Sequence, residues 1–426
     1  MIGGIMYYLE FHMKNILQVL IKALSICVLF FCMIYAGDYF YHKYYMSPAK
    51  LQKARNIADS TWDEPFKSIQ IKNKYKIIIM TTNGGEFAES QHLLNGIKNL
   101  GWEGRIIFNT TEGNEDEMLK FDPDIILFSI GIKVPMSQNI IDHRSKKIGL
   151  YYWPINTNVT DLLMQNPLNL WYTDQQYVFN ERLEPQLKLK AFLQSADGVL
   201  VTAKEVGIIK DIFDRMHRKF YGFRSVPTVS DNNLAFQKPN YISLIGYNDG
   251  FRKHWGFRSV ITKLSEDKIL RAYGQARAFW FLQNGYQGYI NDVQDVVKTL
   301  NRNGIALIVH RNEHFANAIS TNRIIEAAAA NSLIISDRNP FVVENFADSV
   351  LYFDINTDKD AMYKQIMGHY EWARANPEQA KSLANRAHDI FKNKFTSERD
   401  LVRLVQLYEK ILLDEKALNL EYPYKQ

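Results

Sequence analysis

Residues 304–354 run GIALIVHRNEH, a loop, NRIIEAAAANSLIISDRNPFVVENF and SVLYFD, a succession that reads as strand, helix, strand, short helix, strand. Apolar runs of this length suit strands covered on both faces, and strands that alternate with helices pair in parallel because each crossover returns the chain to the same end of the sheet. The helix between the first two strands carries four alanines in a row, Ala327 to Ala330, small enough to press against a sheet. On that apolar helix stand one acid, Glu326, and one cation, Arg323. A carboxylate and a guanidinium near a helix start, just past the carboxyl end of a parallel strand, is how α/β folds hold a nucleotide.

The same alternation occurs twice. The first set starts at Lys74 with the strand KYKIIIMTTNGGEF and the helix AESQHLLNGIKNLG, closed by Gly101, and continues through RIIFNTT, DPDIILFSIG and KKIGLYYWP. A helical, aromatic stretch over 168–230 holds one more strand, 198–203, and a helix, 204–220; the polar patch VSDNNLAFQKPN then serves as a connection. The second set begins at Tyr241 with YISLIGYNDGFRKHWGF, DKILRAYG and DVQDVVKTLNRNG. With 426 residues, 46% of them hydrophobic, there is material for two cores. The expected architecture is therefore α/β with two Rossmann-like domains, 74–235 and 236–395, followed by a C-terminal helix and tail, 396–426. In that last helix Leu401, Leu404, Val405, Tyr408, Ile411 and Leu412 share a face, and Ser397 with Asp400 form a capping-box-like pair.

Ahead of the first domain, after a tail of residues 1–15, the segment 16–37 is apolar enough to span a bilayer with Lys22 snorkelling. Tyr39, Phe40, Tyr41, Tyr44 and Tyr45 follow as an aromatic belt, and residues 38–73 form a stem. A cleaved signal peptide is the alternative; the missing small-x-small site argues for an uncleaved anchor. Lys43, Lys50, Lys53 and Arg55 after the span put the larger part in the cytoplasm by the positive-inside rule, against the counterweight of Lys14 and Lys22. Both cysteines, Cys27 and Cys32, lie in the span, so the remainder has none for a disulfide. A net charge of +5 with interspersed signs gives no nucleic-acid surface.

The run Asn322-Arg323, then Glu326-Ala-Ala-Ala-Ala-Asn-Ser-Leu-Ile-Ile-Ser, and Glu344-Asn-Phe resembles the C-terminal half of a GT-B glycosyltransferase of group 1 (family 4-like), in its CgeB-like branch. The resemblance implies transfer of a sugar from a nucleotide donor, a UDP- or GDP-sugar, to a glycan or lipid-linked acceptor, without a metal or other cofactor and with retention of configuration. It makes Glu326 the donor-binding carboxylate, able to accept from both ribose hydroxyls. It also matches Gly246 and Arg252 to a G-x-x-x-x-x-R turn. Lys253, Arg311 and Arg323 join these as cations for the diphosphate, and cations at helix starts, unfavourable against the macrodipole, suit a shared anion. A solvated helix start is the plain reading of Arg252 and Lys253. His310 beside Arg311 reads as structural.

In the first domain Asn83, Gly84 and Gly85 follow a strand and let backbone approach a phosphate or acceptor oxygen; a tight turn explains them as well. Asp122-Pro-Asp124 precedes its strand and reads as a turn, with no metal site. No catalytic residue stands out. Ala318 occupies the place, eight before Glu326, where many group 1 enzymes have a first glutamate. That gap leaves a second reading open: a catalytically inactive GT-B module acting as a membrane-tethered binding or assembly protein.

Overall fold

The computed structural model describes residues 70–72, 74–81, 85–108, 114–129, 138–151, 197–201, 221–223, 229–246, 255–290, 293–310, 314 and 321–421. The span 16–37, most of the stem, the helix 204–220, Glu313 and Ala318 lie outside them, as do Asn83, Gly84, Arg252, Lys253 and Arg311. Among the described residues no helix is long and apolar enough to cross a membrane. All of them fall in one compact unit, Leu51–Ile155 with Gln186–Gln426.

Two parallel sheets form the frame. The first has six strands, β1 (Lys76–Thr81), β2 (Glu103–Phe108), β3 (Ile125–Ser129), β4 (Lys146–Tyr151), β5 (Gly198–Val201) and β6 (Tyr221–Phe223), in the order β2-β1-β3-β4-β5-β6. Every pairing in it is parallel. The inner strands β1 and β3 are buried along their apolar runs. Edge strand β2 alternates between exposed and covered, as an edge requires. Helix α1 (Gly85–Asn99) ends at Gly101, whose φ of +74° is open to glycine without strain. There Gly101 N donates to Lys98 O and Trp102 N to Ile97 O, which satisfies the last carbonyls in a Schellman arrangement.

Helix α2 (Asn114–Phe121) leads to the Asp122-Pro-Asp124 turn, which is structural on both sides. Arg144 donates to Asp122 through Nε (2.8 Å) and Nη2 (2.9 Å), and Lys76 N donates to Asp124 Oδ2 (2.9 Å). The guanidinium holds the Asp122 carboxyl below its ordinary range. These carboxylates sit at the amino ends of β1 and β3, away from the carboxyl edge where α/β folds bind ligands. A short helix, α3 (Gln138–Asp142), precedes β4.

The second sheet contains β7 (Tyr241–Gly246), β8 (Leu270–Gly274), β9 (Gly304–Ile308), β10 (Leu333–Asp337) and β11 (Leu351–Phe353), ordered β11-β10-β9-β7-β8 and parallel throughout. Counted along the chain, each sheet begins 2-1-3-4-5, a doubly wound order whose direction reverses between its first and third strands. Ala306 and Ile308 join the core under α5 (Val293–Asn303), α6 (Asn322–Ala329) and α9 (Pro377–Lys394). Ile305 and Leu307 alternate to the opposite face. On a side of its own, α4 (Trp255–Glu266) packs against α8 (Lys359–Ala375). Ala327 to Ala330 are all fully enclosed, and α6 lies directly on β9, β10 and α9 as its small side chains allow. Helix α7 (Pro340–Phe346) starts with an Asn339 cap that accepts from Phe341 N at 2.9 Å.

Helix α10 (Ser397–Glu421) leaves the second sheet and packs on the first. Leu401, Leu404, Leu407, Tyr408 and Ile411 share a core with Tyr75, Leu93, Ile97 and Trp102. The crossing is pinned beside the connection 229–240: Ser397 N donates to Val229 O (3.1 Å), while Glu398 accepts from Asp231 N (3.1 Å) and Asn99 Nδ2 (2.7 Å). The capping pair expected of Ser397 and Asp400 is corrected here. Helix α10 begins at Ser397, so Thr396 holds the cap position and accepts from Arg399 N at 3.4 Å, while Asp400 turns to Arg403 at 2.7 Å.

Candidate functional site

The crevice a doubly wound sheet offers lies at the carboxyl ends of its first and third strands. In the second sheet these are β7, ending at Gly246, and β9, ending at Ile308 and followed directly by Val309 and His310. Gly274, the last residue of neighbouring β8, has a φ of +145°, and a Cβ there would stand 1.8 Å from Gly246 O. Only glycine fits, so backbone instead of side chain forms that wall.

Asp337 ends β10, and one carboxylate ties its end to that of β9. His310 N donates to Asp337 Oδ2 at 2.6 Å, and His310 Nδ1 lies 2.6 Å from Asp337 Oδ1. Both side chains are fully enclosed. The His314 ring, also buried, stands 6.2 Å away, centroid to centroid. His310, which reads as structural from the sequence, here joins the end of β9 to that of β10. The clue missing from the sequence is the register that sets Ile308 beside Ser336 and so carries His310 to Asp337.

Helix α6 follows. Thr321 is its cap residue in extended backbone, makes no side-chain cap bond, and its Oγ1 is buried without a hydrogen-bond partner. Arg323 and Glu326 form an ion pair one turn apart, Arg323 Nη1 donating to Glu326 Oε2, with the carboxylate 1% exposed and the guanidinium 16%. The pair answers within the chain the charge that Arg323 brings to a helix start, so Arg323 does not by itself call for an external anion. A carboxylate has about four lone-pair sites, and an accepted bond from Arg323 leaves capacity for hydroxyl donors. Burial makes each such bond stronger than it is in water.

Of the residues singled out from the sequence, the fold therefore brings Gly246, Arg323 and Glu326 to the elements of one sheet edge. Gly85 opens α1 at the carboxyl end of β1, on the other sheet.

Residues 254–406, which include Arg323, Glu326 and Asp337, match a protein-family model described as glycosyl transferase-like. The chain is similar to an alpha-glucosyltransferase solved with UDP and a 13-mer DNA containing an HMU base, with a TM-score of 0.51 and 10% identity over 79% of this chain and 100% of that one. It is also similar to sucrose-phosphate synthase from Thermosynechococcus elongatus, with a TM-score of 0.50 and 11% identity over 80% of this chain and 100% of that one. At such identity the likeness is one of fold, an α/β arrangement of parallel sheets that matches GT-B glycosyltransferases. No curated protein sequence matches. The glycosyltransferase-like domain, on this fold, marks an enzyme of the transferase class.

Proposed function

We propose that this enzyme transfers a sugar from a nucleotide donor, a UDP- or GDP-sugar, to a glycan or lipid-linked acceptor met at a membrane. The observation that carries the reading is the enclosed Arg323–Glu326 pair on α6, next to the carboxyl edge at which the sheet order reverses. In this reading Glu326 accepts the ribose hydroxyls, and the diphosphate lies toward Arg323, Arg252, Lys253 and Arg311. The glycine backbone at Gly246 lets the nucleotide approach. Asn83, Gly84 and Gly85 serve the acceptor side. Membership of the CgeB-like branch, metal independence and retention rest on the resemblance of the α6–β10 run. Segment 16–37 would tether the protein with its enzyme in the cytoplasm, where nucleotide sugars are made.

Transfer by such a site works by placement and charge. A carboxylate that fixes the ribose sets the donor's anomeric carbon against the acceptor, which removes orientational freedom from the barrier. In this reading the cations named above stabilise the negative charge that develops on the departing diphosphate.

Thermal unfolding of the full chain, titrated with UDP, GDP, CDP and their sugars, tests the reading. A ligand at about 100-fold over its Kd adds roughly 2.7 kcal/mol to native stability. The expected outcome is a saturable rise with one nucleotide and its sugars, unchanged by EDTA. No rise with any of them would favour the inactive tethered module, to which the Ala318 position also points. UDP, the nucleotide solved with the alpha-glucosyltransferase, is the first to test.

A further inference from the structure

The loop 275–290 after β8 carries two large aromatic side chains in the open, Trp280 at 71% and Tyr289 at 48% exposure. Single exposed apolar groups are ordinary, but this indole has a cationic and an aromatic neighbour. The Arg258 guanidinium of α4 lies 5.2 Å from the Trp280 centroid and 4.4 Å from that of Phe281, and the two rings meet edge to face at 6.1 Å. Such contacts favour one placement of the Trp280 ring while leaving most of it in solvent.

Beside this platform a groove of about 410 Å³ opens between α4 and the first turn of α8. That volume is in the range of small-molecule sites. Phe281 and Tyr363 give it aromatic walls, and Lys263 Nζ lies 4.0 Å from the Tyr363 centroid. Its charged lining is mixed: Arg258, Lys263 and Lys359 offer donors, Glu266 and Asp360 offer acceptors. Among the described residues none of these five is in an ion pair. A solvated charged surface explains the charges alone; it does not explain an exposed indole stacked on Arg258, which itself lines the groove. A free anion would meet Glu266 and Asp360. A sugar hydroxyl, which both donates and accepts, uses both signs at once, and the C–H face of a pyranose lies flat on an indole.

We propose that the groove between α4 and α8, with Trp280 as its platform, binds a neutral pyranose chain. That this chain is part of the acceptor rests on the glycosyltransferase reading above; the binding itself does not. Calorimetric titration of the full chain with maltohexaose, cellohexaose and chitohexaose tests it. At least one should bind saturably, and Trp280→Ala should raise its Kd tenfold or more. Trp280 is exposed, so the variant folds, and the nucleotide-induced rise in unfolding temperature stays as in wild type. Absence of binding to all three, or binding undiminished in Trp280→Ala, overturns the proposal. Binding confined to a hyaluronan hexasaccharide and lost with salt overturns it in favour of an anion site. If a hexaose binds while no nucleotide does, the groove stands and the transfer reading fails; the reverse pattern removes the groove alone.

Discussion

Glu326→Ala breaks an ion pair that the fold encloses. With the carboxylate 1% exposed and Arg323 16%, alanine takes a buried carboxylate away from a mostly covered guanidinium. Losses of this kind cost about 3–5 kcal/mol. Set against a total stability of about 5–15 kcal/mol, that is a large fraction. At about 2–4 °C per kcal/mol for domains of 150–250 residues, the unfolding temperature falls by roughly 6–20 °C. Loss of nucleotide binding in this variant alone would therefore be ambiguous. The paired replacement Arg323→Met with Glu326→Leu removes both charges and keeps the volume, so its stability should return to within about 2 kcal/mol of wild type. Nucleotide binding should not return. Urea unfolding of wild type, both single variants and the double variant gives the coupling energy, expected above about 2 kcal/mol. A Glu326→Ala chain within about 0.5 kcal/mol of wild type would refute the enclosed pair, as would a double variant no more stable than the single one.

Gly274→Ala should fold poorly, because its Cβ would stand 1.8 Å from Gly246 O on a backbone at φ +145°; a melting temperature equal to wild type would mean β7 and β8 do not meet as described. Burial raises the phenol of Tyr75 well above its ordinary value near 10, so above about pH 10 the unfolded chain releases a proton that the folded chain keeps. Stability should then fall as pH rises, and less steeply in Tyr75→Phe; identical alkaline slopes would count against that burial. If segment 16–37 tethers the protein as proposed, protease added outside sealed cells should spare everything from Lys74 onward, and digestion with the membrane intact would reverse the proposed orientation.

Much of this fold is legible in the sequence because its signals are local. The apolar runs of β1, β7, β9 and β10, the alanines of α6 and the stop at Gly101 each act within a few residues. Arg323 and Glu326 stand one turn apart, close enough to pair, although a cation at a helix start taken alone suggests a shared anion. What sequence hides is register and long-range packing. His310 acquires its partner 27 residues on, through the alignment of β9 with β10. The apolar face of α10 is visible at helical spacing, but nothing in that spacing names Tyr75, Leu93 and Trp102 as its partners. The groove likewise assembles Arg258, Phe281 and Lys359 from three separate elements.

The central claim, that Glu326 holds the ribose of a nucleotide donor, is tested most directly by comparing UDP with its 2′,3′-dideoxy analogue on wild type and Glu326→Gln, or the same pair of GDP ligands should GDP be the nucleotide that binds. Hydrogen bonds to a charged acceptor are worth about 1.5–3 kcal/mol each, and every 1.4 kcal/mol is tenfold in Kd. Wild type should therefore prefer the ribonucleotide by tenfold or more, and the preference should shrink to a few-fold in Glu326→Gln while affinity for the dideoxy ligand stays within a few-fold of wild type. An equal preference in both proteins, or none in wild type, would contradict the account.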